Sequence, residues 1–439
     1  MEMEQRGRVN TGGFVINLKK GGVVNTTKPF DIPRQLFRDA WRLVKANKGS
    51  AGVDGQSIED FEMHINGNLY KIWNRMSSGT YFPPPVKGVE IPKKSGGARL
   101  LGVPSISDRL AQTVVKLYFE PIVEKIFLED SYGYRPDKSA HDAIEVTRKR
   151  CWQYGYLLEF DIVKLFDEIQ HSLLMKAIKQ HTDCKWVILY IERWLKAPFE
   201  MPDGTIVERK MGTPQGGVIS PVLSNLFLHY AFDVWMKKTF PNLPWARYAD
   251  DAIVHCNSYN EAISLKKALE QRMEECGLKL HPSKTRIVYC RINKGQRIPS
   301  EVGKDFTFLG FCFRARGATN KTTGKVFTGF LPAVSKESLK RMREVIRDEI
   351  KLESYLYISL EDLAKRINPI VRGWIQYYGA CYRTALYPMA YYLNERLVRW
   401  LGRKHNGRRH KRTLNYKTLG KVCRSNPKLF EHWQLVPVR

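Results

Sequence analysis

The chain has 439 residues, more than one ordinary hydrophobic core accommodates, so two or three folded units are expected. Hydrophobic residues make up 43% and aromatic residues 12%, which excludes a chain disordered along its whole length. Against 44 Asp and Glu stand 72 Lys and Arg; the formal charge of +28 far exceeds the ~2 to 8 that keeps a small domain soluble and implies a polyanionic partner, nucleic acid in the first place.

Residues 1–28 are polar and Gly-rich and read as a flexible lead-in, with ordered structure expected from about Phe30. Leu36, Phe37, Trp41, Leu43 and Val44 predict a helix over 33–47, followed by a turn in NKGSAGVDGQS and a second helix over 58–76. Strand-like text fills 83–104, and a helix is predicted over 107–127. YLLEFDI at 156–162 is apolar and ends on Asp161, the pattern of a buried strand that delivers a carboxylate. WARYADDAIVHC at 245–256 reads as two short strands meeting in a tight turn at Ala249, Asp250 and Asp251. Beyond Pro332 the text becomes helical. Leu339, Met342, Ile346 and Ile350 form one seam behind Ser335 as N-cap. Leu360, Leu363 and Ile367 form another behind the Ser359 and Asp362 capping pair, a helix predicted to stop before Pro369. Further helices should carry Trp374, Tyr377, Leu393, Leu397 and Trp400. The eight cysteines are scattered with no CxxC pair and read as reduced core thiols, and no run approaches the ~20 apolar residues of a membrane-spanning helix.

Two adjacent aspartates on a turn between apolar strands carry charge that needs an opposing cation, and divalent metal ions are the usual answer. Alone, YADD at 248–251 is a weak signal, since Asp-Asp turns are common. Asp161 at the end of a second apolar strand strengthens it, because phosphoryl transfer with two metal ions needs carboxylates from separate elements. Asp161 and Asp250 are the expected bridging ligands.

The motifs FDIVKLFDEIQHSLL (160–174), GTPQGGVISPVLSNLFL (212–228), RYADDAIV (247–254), GLKLHPSKT (277–285) and FLGF (308–311) resemble, in order, those of reverse transcriptases. NKGSAGVDG (47–55), IPKKSGGARLLGVPSISDRLAQ (91–112) and SYGYRPDKSAHDAI (131–144) narrow the resemblance to group II intron proteins, and RGWIQYYG (372–379) is similar to their maturase segment. The resemblance covers about 30–425. It implies an α+β fold: right-hand polymerase fingers and palm over 29–332 with an antiparallel palm sheet, an α-helical thumb or maturase domain over 333–402, and a short basic DNA- or RNA-binding tail over 403–439. Too little chain follows for an endonuclease domain.

Residue by residue, the resemblance implies that Asp161, Asp250 and Asp251 are the catalytic acids and, with the carbonyl of Ile162, the ligands of two Mg²⁺ ions. Phe166 would lie under the incoming sugar and exclude a 2′-hydroxyl. Lys93 and Arg99, either side of an SGG turn, would hold the triphosphate, two cations suited to phosphate oxygens. Gln215 and Gly216 would sit under the nucleotide, Gly allowing close backbone approach. Lys284 resembles the lysine that protonates the leaving pyrophosphate. Phe308, Leu309, Gly310 and Phe311 would form the primer grip, where a packed hairpin is the alternative. Val163 and Lys164 depart from the family, where a Lys-Gly pair is common, and this bears on how tightly that turn approaches the nucleotide.

From Arg396 to Arg424 there are eleven Lys or Arg and no acid, the composition of a phosphate-binding surface. Arg372 and Arg383, with Arg403, Lys404, Arg408, Arg409, Lys411 and Arg412, are the expected nucleic-acid contacts. The resemblance implies intron RNA, an RNA template with a DNA primer, target DNA and deoxynucleotides as partners, no membrane, a bacterial cytoplasmic location that becomes nucleoid-associated on target DNA, and leaves a homodimer open. Two readings compete with an RNA-directed DNA polymerase: a splicing maturase that does not polymerise, and a retron or defence reverse transcriptase. Three intact aspartates weigh against the first, and RGWIQYYG against the second.

Overall fold

A computed structural model describes residues 28–92, 98–290, 299–319, 322–405 and 407–438; the lead-in expected over 1–28 lies, but for its last residue, outside them. The chain forms two compact units. Of the described residues, one comprises those from 28 to 139 with 160–252 and 264–285, and the other those of 140–159, 253–263 and 286–438. Helices and strands alternate irregularly, and the strands form one three-stranded and two four-stranded sheets, so the fold class is α+β.

In the first unit, helix Arg34–Asn47 buries Phe37, Ala40, Trp41 and Val44, the spacing of one helical face, with the Trp41 ring stacked on Phe61 at 4.8 Å. The single helix predicted over 58–76 is two helices, Ile58–Met63 and Ile65–Ser77. His64 leaves helical backbone geometry at the break, and the Asn68 side-chain amide donates to the freed Phe61 carbonyl at 2.9 Å, so a local side chain replaces the lost backbone bond. Strands β1 (Val86–Pro92) and β2 (Ala98–Val103) pair antiparallel, Ile91 opposite Arg99. The helix predicted over 107–127 spans Ile106–Val123 and tightens into a 3₁₀ turn over Glu124–Ile126.

The strand predicted at 156–162 is β3 (Tyr156–Asp161). Strands β4 (Phe199–Glu200) and β5 (Ile206–Val207) complete the first sheet in the order β2-β1-β4-β5. The hairpin predicted at 245–256 is β6 (Trp245–Tyr248) and β7 (Asp251–Cys256), and with β8 (Arg286–Tyr289) the second sheet runs β6-β7-β3-β8.

In the second unit, β9 (Asp305–Phe308), β10 (Phe311–Thr319) and β11 (Val326–Val334) form an antiparallel sheet around stacked Phe306 and Phe313, 4.6 Å apart. Ser335 and Ser359 cap the helices Lys336–Glu344 and Leu360–Tyr378 as predicted, each hydroxyl accepting the backbone N–H three residues on at 3.0 Å. The first helix widens into a π turn over Val345–Ile350. The second does not stop before Pro369. Pro369 and Lys365, whose carbonyl loses its donor, both lie on the exposed face of the helix and not against the core, so the proline is tolerated nine residues into the helix. Helices Tyr387–Lys404 and Arg412–Ser425 follow. From Phe430 the chain turns inward: Phe430, Trp433, Leu435, Val436 and Val438 are buried, and Asn394 accepts from the His432 and Trp433 rings at 2.8 and 3.1 Å. All eight cysteines are free thiols, five buried and three half-buried, and no helix among the described residues is long and apolar enough to cross a membrane.

Candidate active site

Strand β3 is apolar and buried apart from half-buried Glu159, and the Asp161 side chain emerges half-buried at its end. The 277–285 segment runs beside it: His281 N–H donates to the Asp161 carbonyl at 2.8 Å, Val163 N–H to the Lys279 carbonyl at 2.8 Å, and the buried Ile162 faces Leu280. The turn between β6 and β7 is made by Ala249, at φ +57°, and Asp250, so Asp250 and Asp251 project from neighbouring positions at the strand ends.

The three aspartates and two cations act on one another. Burial first, and then the Asp161 carboxylate, push the Asp250 carboxyl above its ordinary range, while Arg99 and Lys284 pull it back. The ammonium of Lys284 is ion-paired to Asp161 Oδ2, and this hydrogen bond, helped by the charges of Asp161, Asp250 and Asp251, raises the lysine. Lys284 therefore contacts Asp161 and lies within electrostatic reach of Asp250 and Asp251. A set of carboxylate oxygens with an adjacent backbone carbonyl is the donor chemistry of a hard divalent cation. Among the described residues no three His, Cys, Asp or Glu side chains stand converged on one metal position as they are. The donor set fits such an ion, and the Lys284 ammonium neutralises Asp161.

Around this cluster, Arg99 is exposed on β2, while Lys93 lies outside the described residues. Phe166 is half-buried and follows Lys164, which adopts φ +47°, the left-handed geometry for which the family's usual Gly is suited. The Phe166 carbonyl accepts Thr213 N–H at 2.7 Å, which ties the Phe166 turn to the loop bearing Gln215 and Gly216. Gln215 reaches Asp167 at 3.5 Å, and its carbonyl accepts Gly102 N–H at 2.7 Å. Gly216 has φ +110°, and a methyl group there would run into the Gly102 carbonyl, so only glycine fits.

Sequence reasoning missed what holds that loop. Asp108 is buried and accepts from Trp194 Nε1 at 2.6 Å, Gln112 Nε2 at 2.8 Å and Tyr81 Oη at 3.0 Å. Burial outweighs these bonds and raises its carboxyl to about 6. Gln112, its amide oriented by Asp108, accepts Val218 N–H at 2.8 Å just beyond PQGG. The available signal was an Asp and a Gln four residues apart on a helix otherwise buried through Leu110, Ala111, Val114 and Val115.

Within the second unit, the rings of Phe308 and Phe311 are fully buried and belong to its core. Leu309 at φ +51° and Gly310 at φ +78° form the tight turn between β9 and β10, held by Tyr377 Oη donating to the Leu309 carbonyl at 3.0 Å and Ser338 Oγ to that of Gly310 at 3.0 Å. Of the basic residues, Arg372 pairs with Glu431 at 2.5 Å, Arg403 with Glu353 at 3.7 Å and Arg412 with Glu395 at 2.6 Å. Lys404 donates to the carbonyls of Leu356 and Ile358 at 2.9 and 2.6 Å. Arg383, Arg409 and Lys411 are exposed, and Arg408 is half-exposed.

Residues 91–313, just over half of the chain, match the family described as reverse transcriptase (RNA-dependent DNA polymerase), and residues 339–417 match the group II intron maturase-specific domain. Protein YkfC of Escherichia coli is 29% identical over 63% of this chain and 79% of its own length. The group II intron-encoded protein LtrA of Lactococcus lactis is 32% identical over 44% of this chain and 32% of its own, and a putative COX1/OXI3 intron 1 protein of Saccharomyces cerevisiae is 29% identical over 45% and 24%. The matches thus span most of the first relative and no more than about a third of the other two. The chain belongs to the reverse transcriptase family, in the group II intron-encoded form that joins the polymerase to a maturase-specific domain.

Proposed function

We propose that the chain copies RNA into DNA at the cluster of Asp161, Asp250 and Asp251, and that its helical segment binds intron RNA to promote splicing and retrohoming. The observation that carries this reading is the mutual interaction of three acids from two strand ends with Lys284 and Arg99, inside the segment matched to the reverse transcriptase family. Two Mg²⁺ ions, when bound, would supply charge neutralisation for the incoming triphosphate and activation of the primer hydroxyl. Asp161, Asp250 and Asp251 would hold them, with the Ile162 carbonyl completing the oxygen set. Arg99, with Lys93, would orient the phosphates, and Lys284 would donate a proton to the leaving pyrophosphate. Phe166, Gln215 and Gly216 would bed the sugar. Residues 29–332 would act as fingers and palm, 333–402 as thumb, with the Leu309-Gly310 turn against the primer and the exposed Arg383, Arg409 and Lys411 on phosphates. Arg372, Lys404 and Arg412 would need to exchange their protein partners to join them.

The competing reading, a maturase that folds its intron without polymerising, is favoured by the 339–417 match taken alone. Deoxynucleotide incorporation directed by an RNA template separates the two. Incorporation that disappears with Asp161→Asn, while intron RNA affinity stays, supports the polymerase; binding with no incorporation by the parent protein supports the folding role.

A further inference from the structure

Arg247 begins the RYADDAIV string, yet its side chain points away from solvent and is 1% exposed. Its five N–H donors are all used. Nε donates to Asp233 Oδ1 at 2.8 Å, Nη2 to Asp233 Oδ2 at 2.6 Å and to Ser131 Oγ at 2.8 Å, and Nη1 to Asn225 Oδ1 at 3.0 Å and to the Ala249 carbonyl at 3.1 Å. Asp233 is itself fully buried. A buried ion pair seldom stabilises a fold more than well-packed apolar side chains of the same volume would. Stability is therefore a poor reason for Arg247 to be an arginine. What an apolar pair cannot do is donate to the carbonyl of Ala249, the residue immediately before Asp250.

Ala249 holds φ +57°, a conformation that L residues with a Cβ rarely adopt and that must be imposed by surroundings. Arg247 imposes it from one side. From the other, Gly133 lies so close that a methyl group there would run into Ala249 N, and Asn225 Nδ2 holds the Gly133 carbonyl at 2.7 Å. The segment bearing Gly133 is itself stitched to the strand, Arg247 N–H donating to the Asp130 carbonyl at 2.9 Å and Tyr132 N–H to the Arg247 carbonyl at 2.8 Å. Asn225 thus ties together both sides of the clamp, the guanidinium and Gly133.

We infer that Arg247, oriented by Asp233 and Asn225, is a positioning residue that fixes the Asp250–Asp251 turn so that both carboxylates face the reacting phosphate. It touches neither substrate nor metal; it acts through the Ala249 carbonyl. The inference rests on the polymerase reading.

The test compares the parent chain with Arg247→Lys and with the paired Arg247→Met, Asp233→Leu variant, which removes the ion pair without stranding a charge. Two quantities are read: single-nucleotide incorporation on an RNA template, and Mn²⁺ binding to the protein–template–primer complex by paramagnetic resonance. The expected result is a cooperative melt near that of the parent, kcat lowered on the order of 10- to 100-fold, KM for deoxynucleotide within about threefold, and Mn²⁺ affinity weakened severalfold in both variants. Folded variants with parental kcat and Mn²⁺ affinity would overturn the inference. Should the paired variant fail to fold, Arg247→Lys decides, because its ammonium reaches Asp233 but cannot also serve Asn225, Ser131 and Ala249 in one plane. A parent chain that binds Mn²⁺ but incorporates nothing would sink the polymerase reading, and a metal affinity unchanged in the variants would then sink this one separately.

Discussion

The Lys284 ammonium is paired with Asp161 Oδ2, so a lysine from the 277–285 segment neutralises the carboxylate at the end of β3. The two roles of this lysine pull in opposite directions. On the proposed reading it would compete with a metal ion at Asp161 and, kept protonated by that pairing, would serve the leaving group as an acid. Lys284→Met should therefore lower kcat by on the order of 10²-fold while lowering the Mg²⁺ concentration needed for half-maximal rate. A Mg²⁺ titration of the variant checks both, and an unchanged kcat would remove the acid role.

Phe166 is positioned by its own backbone, since Thr213 N–H holds its carbonyl at 2.7 Å and the adjoining Lys164 turn is left-handed. Phe166→Val should keep that backbone and open the space beneath the sugar. Ribonucleotide incorporation should rise by at least about tenfold relative to deoxynucleotide, a difference of ~1.4 kcal/mol in discrimination. An unchanged sugar preference, measured in side-by-side single-turnover reactions, would take the gate away from this ring.

Gly216→Ala meets the Gly102 carbonyl at a φ of +110°, whereas Gly204→Ala, at φ +82°, meets nothing. Both substitutions share the backbone strain, on the order of 1–3 kcal/mol. Only the first should also displace PQGG, so it should raise KM for deoxynucleotide at least about tenfold, with Gly204→Ala as the matched control. Equal KM values for the two variants would contradict the placement of Gly216 under the nucleotide.

Asp108 gives the fold a pH signature. Its carboxyl is raised from 3.8 to about 6 in the folded chain, so between these values the native state binds a proton that the unfolded state has released. This contribution is fully present below about pH 4, falls as pH rises through 6, and is absent at pH 7, on the order of 3 kcal/mol in all. Urea unfolding of Asp108→Asn beside the parent from pH 4 to 7 should show the difference in stability shifting in favour of the variant as pH rises. A constant difference would mean that Asp108 titrates like a free carboxylate.

The elements that position the acids were legible in the sequence because each carries a local signal: a short apolar run ending in Asp161, and two apolar runs flanking Ala249, Asp250 and Asp251. The cap residues Ser335 and Ser359 were legible for the same reason. What escaped depends on partners distant in sequence. Nothing near Arg247 says that its guanidinium is buried against Asp233 and Asn225, and nothing near Gln112 says that its amide oxygen holds Val218 N–H. The helix through Pro369 and the break at His64 were decided by which carbonyl lies on an exposed helix face and which finds Asn68. The rings at 308 and 311, for which the sequence offered a primer grip or a packed hairpin, are core, because alternation in β9 and β10 sends both inward.

The most direct test of the account is primer extension on an RNA template with Mg²⁺ and deoxynucleotides, run beside the Asp250→Asn variant and with RNA affinity measured on both. The account predicts extension by the parent, loss of at least about 10³-fold in the variant, and RNA binding unchanged within about twofold, because phosphate binding is assigned to Lys and Arg side chains other than the acids. A variant that extends primers as the parent does would contradict it, since the three aspartates would then be a charge cluster without a reaction.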